Sequence, residues 1–164
     1  MEQLVLKYES AGIFVTNMAI SKNFYANILG QQIIEDLERY VVFKGGFFIW
    51  EQKYALNTIY TSKIGEIQVG RNNCEFYFET PDIEGYYKKI KKEDIEIIHD
   101  IIEHPWGQKG FRVYDPDHHI IEIGEPMSFV ILRFRQQGMT SEEISKKTLM
   151  SLEVIKEILE NQGK

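Results

Sequence analysis

The chain has 164 residues, 43% apolar and 13% aromatic, a composition suited to one packed domain with a small appendage. Its net charge of −6 argues against nucleic acid and against anionic membrane surfaces as partners, since each calls for a basic patch. One cysteine, Cys74, cannot form an intramolecular disulfide, no run approaches a membrane span, and MEQLVLKYES lacks a signal-peptide core, so a soluble cytoplasmic protein is expected.

The segment AGIFVT (residues 11–16) reads as a buried strand. A helix is predicted over 17–29, with Ser21 as N-cap, Phe24, Tyr25, Ile28 and Leu29 as its apolar stripe, and Gly30 as its stop. Three strands then fit QQIIED, RYVVFK and GFFIWEQ, the last two joined by the hairpin signal Gly45-Gly46. Residues 54–72 read as a connection with a helical turn.

From Asn73 the order repeats. CEFYFET is a strand, Asp82 caps a helix running through Tyr86, Tyr87 and Ile90, and IEIIHDII, KGFRVYD and HIIEIGE are three more strands. The chain is therefore α+β, with two β-α-β-β-β modules over about 9–53 and 73–125. Laying 40-YVVFKGGFFIWE-51 over 111-FRVYDPDHHIIE-122 without gaps puts Phe43 on Tyr114 and Glu51 on Glu122.

Residues 127–162 form an all-helical appendage. A helix over 127–137 ends at Gly138, Thr140 and Glu143 make a capping box, and Ser151 opens a third helix with Val154, Ile155, Ile158 and Leu159 as its stripe. The last two helices resemble a helix-turn-helix, but Glu153, Glu157 and Glu160 against Lys156 oppose phosphate binding. Packing against the main domain or a partner subunit is expected instead.

Over residues 9–125 the doubled module, FYANILG, and HPWGQKGFRVYDPDHHIIEIGE resemble the vicinal oxygen chelate superfamily of glyoxalase I, extradiol dioxygenases and bleomycin-resistance proteins. The resemblance implies a pair of half-barrels around a cavity, a homodimer, and a divalent metal such as manganese, magnesium, nickel or zinc. It places Glu122 on the family's final-strand ligand and Glu51 on its first-module partner. Ser10 and Glu75 stand where the family has histidines. The metal candidates are thus Glu51, Glu75 and Glu122, an all-oxygen set suited to hard ions, with Glu122 also the candidate catalytic carboxylate.

Strand alternation puts Glu75 and Tyr77 on one face, and Ile120, Glu122 and Gly124 on one face of the last strand. Tyr77, Trp106 and Arg112 are the ligand-binding candidates: a cavity wall, a lid, and a contact for an anionic group. His118 reads as a solvated turn residue. Three functions stay open at this point. One is a small-molecule binder without a complete metal site, another a metal-dependent lyase or isomerase, and the third an interaction protein acting through the helical tail.

Overall fold

The computed structural model describes residues 6–60 and 65–161. Residues 61–64 of the expected connection, the first half of MEQLVLKYES and residue 162 of the tail lie outside the described residues. The chain divides into two compact units, residues 1–73 with 115–119, and 74–114 with 120–164.

The first unit carries β1 (Ala11–Val15), α1 (Met18–Lys22) continued by a π-helical turn (Asn23–Ile28), β2 (Ile33–Asp36), β3 (Tyr40–Phe43), β4 (Phe47–Glu51) and α2 (Gln52–Ile59). The sheet order is β1-β4-β3-β2, with β1 parallel to β4 and the rest antiparallel. One face packs Ile13, Val15, Val41, Phe43 and Ile49 into a core with Phe24 and Tyr25. The other carries Phe14, Tyr40, Phe48 and Trp50 in mutual ring contact. The helix is capped by Asn17, whose side chain accepts from Ile20 N–H at 3.2 Å. Ser21, expected in that role, instead sits buried inside the helix, because β1 ends at Val15 and the helix begins directly after Asn17.

The segment Asp115–His119 also belongs to this unit. Asp117 accepts from Thr16 N–H at 3.0 Å and from Thr16 Oγ1 at 2.5 Å, and Asp115 accepts from the buried Tyr25 hydroxyl at 2.7 Å. Asp115 also lies 2.9 Å from His119 Nδ1 and accepts from the His119 backbone N–H at 2.8 Å. The two histidines therefore differ: His118 is exposed in a left-handed conformation, and His119 is buried against Asp115.

The second unit repeats the plan with β5 (Glu75–Glu79), α3 (Ile83–Ile90), β6 (Ile97–Glu103), β7 (Lys109–Tyr114) and β8 (Ile120–Gly124), in the order β5-β8-β7-β6. Asp82 caps α3 as expected, accepting from Gly85 N–H at 2.9 Å. Phe111, Val113, Ile121 and Ile123 form the buried face.

Three helices follow: α4 (Met127–Gln136), α5 (Ser141–Thr148) and α6 (Leu152–Asn161). Val130, Ile131, Phe134, Ile144 and Ile155 make their own core, with Ile158 and Leu159 packed against it. Val154, expected in that stripe, is 37% exposed; it lies one residue off the buried Ile155, so the helical period turns it outward. The Thr140–Glu143 capping box is present. Leu149 ends α5 with φ 61° and is 88% exposed, so its side chain packs little while its backbone is strained. Leu149→Gly is expected to stabilise the protein by about 0.5 kcal/mol, read as a raised thermal midpoint.

Candidate functional site

The ladder registers of the second sheet align one row of side chains across all four strands. Tyr77 pairs with Glu122, Glu122 with Arg112, and Arg112 with His99. Paired residues share a face, so this row lies opposite the buried Phe111, Val113, Ile121 and Ile123. Glu75 sits on the same face two residues before Tyr77.

Arg112 is the centre of the row. Its Nε donates to Glu75 Oε1 at 2.6 Å, and its Nη2 donates to Glu122 Oε2 at 2.7 Å. Nη1 lies 3.2 Å from His99 Nε2. The other ring nitrogen of His99 is 2.8 Å from the Asp100 carbonyl, which can only accept, so Nδ1 carries the proton. That leaves Nε2 as the acceptor for the guanidinium. One cation thus serves two carboxylates and a histidine, in the fork geometry that arginine alone among side chains supplies.

The other oxygen of Glu122 faces a second histidine. His104 Nε2 is 3.6 Å from Glu122 Oε1, too long for a hydrogen bond, and this buried nitrogen has no hydrogen-bond partner among the described residues. The His104 ring stacks on Trp106, with centroids 4.4 Å apart and planes 6° from parallel. Gln108, buried in the same loop, ties the aromatic residues together. Its Oε1 accepts from Trp106 Nε1 at 3.0 Å, and its Nε2 donates to the Tyr77 hydroxyl at 2.7 Å and to the Glu125 carbonyl at 2.7 Å. Its side-chain acceptor and both of its donors are engaged, which fixes both rings in place.

Tyr77 in turn donates to Glu79 Oε1 at 3.0 Å. Burial, and then the neighbouring Glu79 carboxylate, push its hydroxyl well above the usual phenol range, so it remains a neutral donor. Glycine makes room for the arrangement: a Cβ at Gly124 would come within 3.0 Å of the Tyr77 ring and 3.2 Å of Gln108 Nε2. Even so held, Tyr77 is 46% exposed and Trp106 36% exposed.

Tyr77, Trp106, Arg112, Glu75 and Glu122 therefore come together in the second unit. Glu51 belongs to the first unit, where its side chain caps α2 by accepting from Tyr54 N–H at 2.9 Å. Its equivalence to Glu122 does not hold. The hairpin closing β3 and β4 pairs Phe43 with Phe47, whereas that closing β7 and β8 pairs Tyr114 with Ile120. The second turn is two residues longer, and the faces differ: Glu51 lies on the side of Val15 and Ile49 that packs the first core, whereas Glu122 lies opposite the packed side of the second sheet.

The donor set does not fit a divalent metal. Glu75 and Glu122 are both bonded to a guanidinium, and a dication held by them would have to displace it or sit beside it against like charge. Among the described residues no group of three or more His, Cys, Asp and Glu side chains is arranged to hold a metal. Arg112, the candidate contact for an anionic ligand group, is paired with the carboxylates that its own sheet presents. His99, His104 and Gln108 were not anticipated as site residues. His104 lay in the loop already singled out for Trp106; nothing local in the sequence marks Gln108.

A model of the glyoxalase-like domain family matches residues 8–128. Among solved structures, a protein of unknown function from Agrobacterium tumefaciens is 35% identical with a TM-score of 0.68, covering 76% of this chain and 98% of its own. A lactoylglutathione lyase from the same organism is 18% identical (TM-score 0.59, covering 76% and 96%). A glyoxalase/bleomycin resistance protein/dioxygenase from Nocardioides is 17% identical (TM-score 0.59, covering 76% and 86%). These last two likenesses bear on the fold alone. No curated protein matches the chain. No described helix is long and apolar enough to cross a membrane.

Proposed function

Since the chain belongs to the glyoxalase-like domain family, we propose that the open face of its second sheet binds a neutral or cationic aromatic small molecule, without a divalent metal. The observation that carries this reading is the pair of large aromatic side chains, Tyr77 and Trp106, left substantially exposed yet immobilised through one buried amide, that of Gln108. Rings held rigid in advance lose little entropy on meeting a ligand, and exposed apolar surface of this kind is otherwise costly.

Charge selects the ligand class. Glu75, Glu79 and Glu122 share the face with one guanidinium, Arg112, which leaves it net negative and unfavourable to anions. The flat guanidinium, already hydrogen-bonded at its edge, offers its plane for stacking. Glu122 serves here as the anchor that orients Arg112.

Three probes with one ring and three charges test the proposal: indole, tryptamine and indole-3-acetate. Calorimetric titration is expected to show tryptamine and indole binding more tightly than the anion. Trp106→Ala and Tyr77→Ala are each expected to weaken binding about tenfold, the equivalent of about 1.4 kcal/mol. Tightest binding of indole-3-acetate, or affinities unmoved by both substitutions, would contradict it.

A further inference from the structure

The family match stops at residue 128, just inside α4, yet α4 holds the loop that bears Trp106. Arg133 spans two acceptors: its Nη2 donates to the Gly107 carbonyl at 2.5 Å and its Nη1 to Glu125 Oε1 at 2.6 Å. Glu125, itself buried, accepts from Lys109 N–H at 2.9 Å through its other carboxylate oxygen. Its carbonyl receives the Gln108 amide that also binds the Tyr77 hydroxyl.

Packing reinforces the same link. Gly107 has φ +89°, and a Cβ there would be driven into the ring of Phe134, one residue after Arg133 on α4. Lys147 of α5 also lies over that ring, 4.4 Å from the Phe134 centroid. The two residues that follow Trp106, Gly107 and Gln108, are therefore fastened directly or through Glu125 to the tail.

We infer that the C-terminal helices are a positioning element of the ligand face, with Arg133 the positioning residue that sets the Trp106–Gln108 loop. The inference rests on the proposed function for its meaning, but its physical content stands apart: tail packing and the placement of Trp106 are one coupled equilibrium. Coupling of this kind is reciprocal, so whatever steadies Trp106 also steadies the tail. A merely structural Arg133 would act by neutralising Glu125, and a lysine would do that as well. Only the planar fork reaches Glu125 and the Gly107 carbonyl together.

The test uses the full chain with Trp50→Phe, which leaves Trp106 as the single indole, and acrylamide as quencher. Arg133→Ala is expected to raise the quenching constant of Trp106 about twofold, as the loop opens locally. Arg133→Lys is expected to restore the thermal midpoint while quenching stays high. Unchanged quenching in Arg133→Ala, or a lysine variant that restores both readouts, would overturn the inference. Should the alanine variant fail to fold, the lysine variant against its Trp50→Phe parent decides the question alone: raised quenching supports the coupling and unchanged quenching overturns it. The quenching needs no ligand, so failure of indole and tryptamine to bind would sink the proposed function and leave this result legible on its own.

Discussion

Arg112→Ala is expected to destabilise the protein by about 2 kcal/mol and to make it responsive to divalent cations. The stability loss follows from leaving Glu122, whose side chain is only 12% exposed, without its cation. It is smaller than for a fully buried pair because Arg112 and Glu75 are partly solvated. With the guanidinium gone, Glu75 and Glu122 become oxygen donors on one sheet face, and manganese or magnesium is expected to raise the thermal midpoint of the variant and not of the wild type. A wild-type protein already stabilised by either ion would mean that Arg112 is not the resident cation of this row. The same comparison separates the two uses of the fold that the sequence left open, since a metal-dependent lyase or isomerase requires the carboxylates to be available.

Asp115→Ala is expected to cost more, about 4 kcal/mol, although the residue is no part of the ligand face. Its carboxylate is fully buried and accepts from the Tyr25 hydroxyl and from the backbone N–H groups of Asp117 and His119, with the His119 ring alongside. Removing it leaves several donors unsatisfied at once, which is the expensive direction in which to break a network. Asp115→Asn keeps one acceptor oxygen and is expected to cost about half as much. Denaturant unfolding with an unchanged slope measures both. Equal stability of Asp115→Ala and wild type would show that the turn is held by something other than this carboxylate.

The Asp-Pro-Asp-His-His turn also explains where reading the sequence succeeded and where it failed. Alternation along HIIEIGE and CEFYFET correctly put Glu75, Tyr77, Glu122 and Gly124 on one face, because strand periodicity is local. The repeat was visible through element order, and both sheets have the same strand order. The pairing of Glu51 with Glu122 failed because turn length is not local information: residues 115–119 replace what Lys44, Gly45 and Gly46 do in the first hairpin. The gapless overlay therefore set Glu51, on the packed side of its sheet, against Glu122, on the open side of its own.

The guanidinium at the centre of the site was hidden for a different reason. Arg112 was visible as a polar residue on a strand, but its partners come from β5 and β8, 37 and 10 residues away. The link from Gln108 to Tyr77 spans 31 residues, and that from Arg133 to Gly107 spans 26. Such contacts follow from sheet order and loop closure, which a single sequence constrains only through its fold. The acidic helix Leu152–Asn161 could be read away from DNA by composition alone, whereas the role of α4 needed the position of Gly107.

The most direct test of the account is a 1H–15N spectrum of the wild-type protein recorded during titration with tryptamine. The Trp106 indole N–H and the Gln108 side-chain amide are hydrogen-bonded to each other and stand beside Tyr77. Both resonances are expected to shift together and saturably, without added metal. Saturable binding that moves neither of them, or that appears only when a divalent ion is supplied, would contradict a metal-free aromatic site on this face.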